Sequence, residues 1–122
     1  MSLFLAAALA FSCTAPVAVD GDTLRCGGGA SHPSFLVRLL GIDAPELPGH
    51  CRAGRVCTLG DGWASKAALA RLIRDRQVSC SPEARDHYGR VLARCSSGGA
   101  DLSCAMVGSG FAVERYSRLR CR

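Results

Sequence analysis

Phe35-Leu36-Val37-Arg38-Leu39-Leu40 is an apolar run with a single charge inside it, and Gly41-Ile42-Asp43-Ala44-Pro45-Glu46 follows directly. The run predicts a buried strand. Its continuation is predicted to break that strand, because Pro45 removes a backbone donor and disfavours the helical region for Ala44. Arg38 must either pair with a carboxylate or face a polar site, since an unpaired buried charge is costly. On the N-terminal side, Val17-Ala18-Val19 and Thr23-Leu24-Arg25 flank Asp20-Gly21-Asp22, and an Asp-Gly pair between β-prone residues signals a tight hairpin. Gly27-Gly28-Gly29 links that hairpin to the apolar strand. On the C-terminal side, residues 47–60 form a glycine-containing loop that Cys51 and Cys57 pin.

From Asp61 the pattern changes period. Trp63, Ala67, Ala70, Leu72 and Ile73 recur at three- and four-residue spacing, while Lys66, Arg71, Arg74 and Arg76 fall largely elsewhere, which predicts an amphipathic helix to about Arg76. Val78–Cys80 and Val91–Cys95 are predicted strands, with the tight segment Asp86-His87-Tyr88-Gly89-Arg90 between them. Asp101 is placed to cap a short helix through Val107, with Gly110 as its stop. Strands, helix, strands and helix, with no internal repeat, predict one small α+β domain: an antiparallel β-barrel with helices packed on it.

The composition excludes several classes. Of the 122 residues, 48% are hydrophobic and 20% charged, too apolar for disorder; 14 glycines without a triplet repeat and only 5 prolines exclude a collagen-like or proline-rich chain. No apolar run reaches the roughly 18 residues of a membrane span, so no stable membrane insertion is expected. Met1–Ala10 is an apolar run ending in Ala8-Leu9-Ala10, the small-x-small pattern of a cleavable leader, although it lacks the basic opening of such leaders. The expectation is a signal peptide over residues 1–10 and a single domain over 11–122. So short a chain buries a modest core, and covalent staples matter to it.

Cysteines stand at 13, 26, 51, 57, 80, 95, 104 and 121, an even count with no C-x-x-C pair. His32, His50 and His87 do not supply zinc-site spacing either. Disulfides are the better explanation, and they imply a secreted or periplasmic protein. Eight cysteines allow about a hundred pairings. The simplest joins sequence neighbours: Cys13 with Cys26, Cys51 with Cys57, Cys80 with Cys95, and Cys104 with Cys121.

The chemistry sits where charge interrupts the pattern. Asp22, Asp43 and Glu46 lie just past a hairpin turn and just past a buried strand, where neighbouring strands converge. Oxygen-rich clusters of this kind hold hard cations such as calcium. Taken singly, Asp-Gly-Asp is a common turn and an acid beside proline a common loop residue. The planar fork of Arg38 matches phosphate oxygens in two-point contact, while a salt bridge to the same acids explains it equally well. Arg90, after Tyr88-Gly89, offers a second cation. The net charge is +5, and 14 of the 15 cationic residues are arginine. Positive potential attracts a polyanion, so Arg25, Arg52, Arg55, Arg71, Arg74, Arg85 and Arg94 form a candidate footprint, although Arg71, Arg74 and Arg76 suit a solvated helix face better.

Val19-Asp20-Gly21-Asp22-Thr23, Arg38-Leu39-Leu40-Gly41-Ile42-Asp43-Ala44-Pro45-Glu46 and Asp86-His87-Tyr88-Gly89-Arg90 resemble the three signature segments of the thermonuclease (staphylococcal nuclease-like) family. Order and approximate spacing agree from about Val17 to Tyr116. The resemblance implies an OB-fold, a five-stranded Greek-key barrel with about two packed helices. It also implies a calcium-dependent nuclease that hydrolyses phosphodiester bonds of DNA or RNA by metal-assisted water attack; for so small an extracellular enzyme a monomer is the default expectation. Asp22, Asp43 and the carbonyl of Ala44, where the family often has threonine, would hold Ca2+. Glu46 would orient or deprotonate the water, and Arg38 and Arg90 would bind the scissile phosphate and stabilise its charge. Tyr88 and Tyr116 match tyrosines around the bound nucleotide. His87 stands where the family commonly has lysine, which weakens a phosphate contact at neutral pH, the ordinary histidine pKa being about 6.5. The alternative is a non-catalytic OB-fold nucleic-acid-binding module, which has no need to keep all of Asp22, Arg38, Asp43, Glu46 and Arg90.

Overall fold

The computed structural model describes residues 9–28 and 33–121. The expected leader lies outside them except for Leu9 and Ala10, as do Gly29 and His32. From Phe11 the chain is part of a sheet. The strands are β1 (Phe11–Cys13), β2 (Val17–Ala18), β3 (Thr23–Cys26), β4 (Phe35–Leu39), β5 (Ile42–Asp43), β6 (Val78–Arg85), β7 (Val91–Ser97), β8 (Ala100–Asp101) and β9 (Val113–Glu114), and the helices are α1 (Gly62–Ile73) and α2 (Leu102–Gly108).

The main sheet runs β1-β6-β7-β4-β3-β2, with β8 added on β7. The hairpin neighbours β2–β3, β3–β4 and β6–β7 are antiparallel, but β4 and β7 run parallel, with Val37 opposite Val91. The expected all-antiparallel barrel is therefore corrected to a mixed one. A parallel pair needs a long crossover, and the chain between these two strands supplies it through a loop, α1 and β6. Strands β2, β3, β4, β7 and β6 are the five of the expected OB-like path, and β1 and β8 extend it. β1 sits on β6 at one end and β2 on β3 near the other, with only residues 14–16 between them. Consecutive pieces of chain thus hold opposite ends of the sheet and curl it into a half-barrel.

Side chains alternate along β7, with Val91, Ala93, Cys95 and Ser97 buried and the residues between them only partly so. Leu24, Val37, Leu39, Ile42, Leu69, Val78, Leu102 and Met106 complete the core inside the curl. All four disulfides join sequence neighbours: Cys13–Cys26, Cys51–Cys57, Cys80–Cys95 and Cys104–Cys121. Cys80 and Cys95 face each other across β6 and β7.

Helix α1 departs from expectation in face and length. It buries Gly62, Ser65, Ala68, Leu69 and Ile73, while Trp63 and Ala67 are exposed. Close packing sets this rotation: a side chain at Gly62 would strike the Glu46 carbonyl, and the Ser65 hydroxyl donates to Phe111 O at 2.7 Å. The helix stops at Ile73 rather than near Arg76, because Arg74 is extended and Asp75 has a φ of +54°. Asp61 caps α1 by accepting from Trp63 N and Ala64 N, and Asp101 caps α2 by accepting from Cys104 N.

Candidate active site

At the mouth of the half-barrel, the turn after β4 meets the β2–β3 hairpin. Gly41, with a φ of +84°, turns the chain, and β5 pairs with β9, so the segment expected only to break β4 also forms a short strand of its own. Gly21 lets the hairpin close onto this turn, since a Cβ there would overlap Ser65 Oγ and Ala44 Cβ. Asp22 closes the joint: its Oδ2 accepts from Ala44 N at 2.9 Å and its Oδ1 from the Thr23 hydroxyl at 3.0 Å.

The register that sets Thr23 opposite Arg38 brings Arg38 beside these acids. Its Nη2 lies 3.1 Å from Asp43 Oδ1 and 3.5 Å from Asp22 Oδ2, and its Nη1 donates to Leu39 O and Ile42 O at 3.0 and 2.9 Å. The charge inside the apolar strand is therefore paired. Asp43 is fully buried and its carboxylate is surrounded. Oδ1 accepts from Arg38 and from Arg55 at 3.2 Å, while Oδ2 accepts from the Thr58 hydroxyl at 2.6 Å and from Arg115 at 3.3 Å. Arg55 also reaches Glu46 Oε2 at 3.6 Å. Burial works against the charge of Arg55, but the Tyr116 hydroxyl, Asp43 and Glu46 outweigh it and raise the guanidinium's pKa.

Arg90 enters from the β6–β7 turn. Its Nε donates to Asp86 Oδ2 at 2.7 Å, and Asp86 Oδ1 accepts from the backbone of Tyr88 and Arg90. Burial alone would raise the Asp86 carboxyl, but these bonds and the Arg90 charge hold it below its ordinary value.

Asp22, Arg38, Glu46, Arg55, Arg90 and Tyr116 line one cavity of about 330 Å³, with Asp20 and Asp86 on its wall. Asp43 and Ala44 stand just behind it, buried. Tyr88 lies outside, in an adjoining hollow of about 380 Å³ that shares Glu46, Arg55 and Arg90 with the first. The Arg52 guanidinium covers its ring at 4.8 Å and donates to its hydroxyl at 2.6 Å. His87 packs its ring on Tyr88 at 4.1 Å and lines neither hollow. In the sequence Arg55 and Arg52 stand out only as general basic surface, and Thr58 and Arg115 carry no signal. The clue was the placement of both arginines inside the Cys51–Cys57 ring.

The fit to a cation can be tested on the donors. Asp22, Asp43, Glu46 and the Ala44 carbonyl are all oxygen, the chemistry a hard cation takes. Burial pushes the Asp22 carboxyl up to about 7, with Arg38 pulling it only partly back and Asp20 adding to the rise, so this acid lacks compensating positive charge. Asp43 is compensated already, and a cation would take the place of Arg55 and Arg115, both more than a third exposed. By type the donors suit a hard cation on that condition, and among the described residues Asp22, Asp43 and Glu46 do not stand as a ready cluster.

These features define an OB-like α+β domain with a cavity of paired arginines and carboxylates at the mouth of its sheet. The family model described as staphylococcal nuclease homologue matches residues 36–121, and the chain belongs to that family. It is also similar to a protein of Haemophilus influenzae described as an uncharacterized endonuclease, with 32% identity over 100 residues, covering 80% of this chain and 50% of the relative. The chain thus spans half the length of that relative.

Proposed function

We propose that residues 11–122 form a secreted or periplasmic, calcium-dependent nuclease, exported by the leader at 1–10, that hydrolyses phosphodiester bonds of DNA or RNA as a monomer. The observation that carries this reading is the convergence of Asp22, Arg38, Glu46 and Arg90 on one cavity, with Asp43 directly behind it. Four disulfides support an oxidising compartment.

Arg90, steadied through Nε by Asp86, binds the scissile phosphate with its remaining donors and stabilises charge on the equatorial oxygens. Arg38 is fixed by two carbonyls and two carboxylates, so its charge needs no reorganisation during the reaction. Glu46, partly exposed beside Arg55, takes a proton from the attacking water as the new P–O bond forms and the bond to the leaving oxygen breaks. Asp22, Asp43 and the Ala44 carbonyl would hold calcium, which when bound supplies positive charge beside the phosphate and eases ionisation of water. Tyr116 on the cavity wall and Tyr88 and His87 beside it contact the flanking nucleotide.

Digestion of single-stranded DNA and RNA with calcium, with chelator, and with Glu46→Gln tests the reading. Calcium-dependent cleavage lost in the variant is expected. Tight nucleic-acid binding without any calcium-dependent cleavage by the wild type would refute it in favour of a non-catalytic binding module.

A further inference from the structure

A second basic surface lies beyond the cavity. On the outer face of β7, Leu92 lines the active-site cavity together with Arg90, and two residues further on Arg94 lines a separate hollow of about 430 Å³ with Asp101, Cys104, Arg118 and Arg120. From Arg90 to Arg94 the chain covers about 13 Å, at roughly 3.3 Å per residue.

The other wall of the hollow is the C-terminal tail, and three attachments hold it. Leu119 packs against the core and fills the space over Gly41, itself part of the cavity wall. Leu119 N donates to Glu114 Oε2 at 2.6 Å, and Cys121 is bonded to Cys104 of α2. Arg118 and Arg120, on either side of the inward Leu119, are exposed, and among the described residues neither meets a carboxylate. The Asp101 carboxylate is engaged with Cys104 N at 2.8 Å, and Arg94 pairs with Glu83 at 2.8 Å.

We propose that this hollow is an exosite for the phosphates of a single-stranded polynucleotide whose reacting phosphate lies at Arg90. The strand follows the outer face of β7, and Arg94, Arg118 and Arg120 hold the phosphates next along it. Guanidinium forks suit phosphate oxygens, and among the described residues no aromatic ring lines the hollow, so contact is with the backbone and indifferent to sequence. OB-type surfaces engage about 4 to 16 nucleotides, which covers this span. The inference rests on the nuclease proposal for where the strand begins.

The test is binding of labelled oligothymidylates of two and ten nucleotides in chelator, followed by cleavage with calcium. The wild type is expected to bind the longer probe more tightly, and Arg118→Ala with Arg120→Ala to lose that advantage. The salt dependence of binding should fall by about 1.4 in slope, at about 0.7 per lost contact on a single strand. Lysine at both positions should retain the slope, and Glu83→Gln, which releases Arg94, should tighten the longer probe. Equal affinity and slope for the ten-nucleotide probe in wild type and double alanine variant would overturn the exosite. If length-dependent binding behaves as expected but calcium gives no cleavage, the nuclease proposal fails and the exosite stands.

Discussion

Asp43→Asn, measured in chelator, separates two accounts of the acid at the centre of the site. An acid kept only to ligate a cation stands among other carboxylates, so neutralising it in metal-free protein relieves repulsion and stabilises the fold. The structure predicts the opposite sign. Asp43 is fully buried and answers three guanidiniums, and the side chain of the nearest, Arg38, is itself only 11% exposed. Removing one charge of a buried pair costs about 3–5 kcal/mol, because the other charge stays behind. Arg55 and Arg115 are 40% and 36% exposed, and solvent screening reduces each of their pairs to about 0–1 kcal/mol. The loss is therefore carried by Arg38; Asp22 at 3.5 Å and two carbonyls still hold that guanidinium, so the cost falls at the lower end, about 3 kcal/mol, against the roughly 5–15 kcal/mol of a typical domain. With a urea dependence of about 2 kcal/mol per molar, the midpoint should fall by roughly 1.5 M with the disulfides intact. Asp22→Asn should change the pH dependence instead. Burial lifts its carboxyl to about 7 from 3.8, so between those values the folded protein binds more protons than the unfolded chain and loses stability as pH rises. Asparagine removes that pH dependence but gives up one of the two acceptor oxygens that hold Ala44 N and the Thr23 hydroxyl, so the variant's stability should stay level between about pH 4 and 7, where that of wild type falls. An Asp43→Asn protein as stable as wild type in chelator, or more stable, would refute the anchor account.

Three further outcomes are expected. Glu46→Gln should lower the cleavage rate by roughly 10²–10⁴, the range for a lost general base, while nucleic-acid binding in chelator persists; an unchanged rate rules out Glu46 as the base. Arg55→Gln should slow cleavage roughly tenfold by freeing Glu46, and lysine should not rescue it, since a point charge cannot fork to both Asp43 and Glu46; full rescue by lysine would show that charge alone suffices. Asp86 has a lowered pKa, so its contribution to stability is present above the ordinary carboxylate range near about 4 and is lost as pH falls through its folded value. Melting curves of wild type and Asp86→Asn should accordingly converge in acid, and a constant difference at every pH would contradict this.

What the sequence revealed was decided locally. The break after Leu40 was legible in Gly41-Ile42-Asp43-Ala44-Pro45, although Gly41 makes it and Pro45 only follows β5; the hairpin follows from Asp20-Gly21, the cap of α2 from Asp101, and each disulfide joins cysteines no more than 17 residues apart. What it hid was decided at distance. The parallel pairing of β4 with β7 and the short β5–β9 ladder depend on partners that no local pattern names. The face of α1 depends on Gly62 fitting against the Glu46 carbonyl rather than on the apolar stripe that Trp63 suggested. Asp43 could be singled out as an acid near a strand end, but besides Arg38 its donors come from 12, 15 and 72 residues further along.

Those distant donors also explain why a site this small needs its outer cysteines. Arg38 reaches Asp43 from a core strand, Arg55 from the loop closed by Cys51–Cys57, and Arg115 from the segment that leads to the tail bonded through Cys104–Cys121. Cys13–Cys26 and Cys80–Cys95 are buried and brace the sheet, whereas Cys51 and Cys121 are exposed, and their bridges close the loop on itself and tie the tail to α2. Without the outer bridges, ordering the loop and the tail would cost about 1–2 kcal/mol for each backbone residue fixed. The two partly exposed ion pairs to Asp43 return at most about 1 kcal/mol each, too little to hold those segments in place. The covalent closures and the β5–β9 ladder, extended by Arg115 N donating to Gly41 O at 2.9 Å, together set the geometry, and the arginines exploit it: one buried carboxylate joins strand, loop and tail where these have already brought them together.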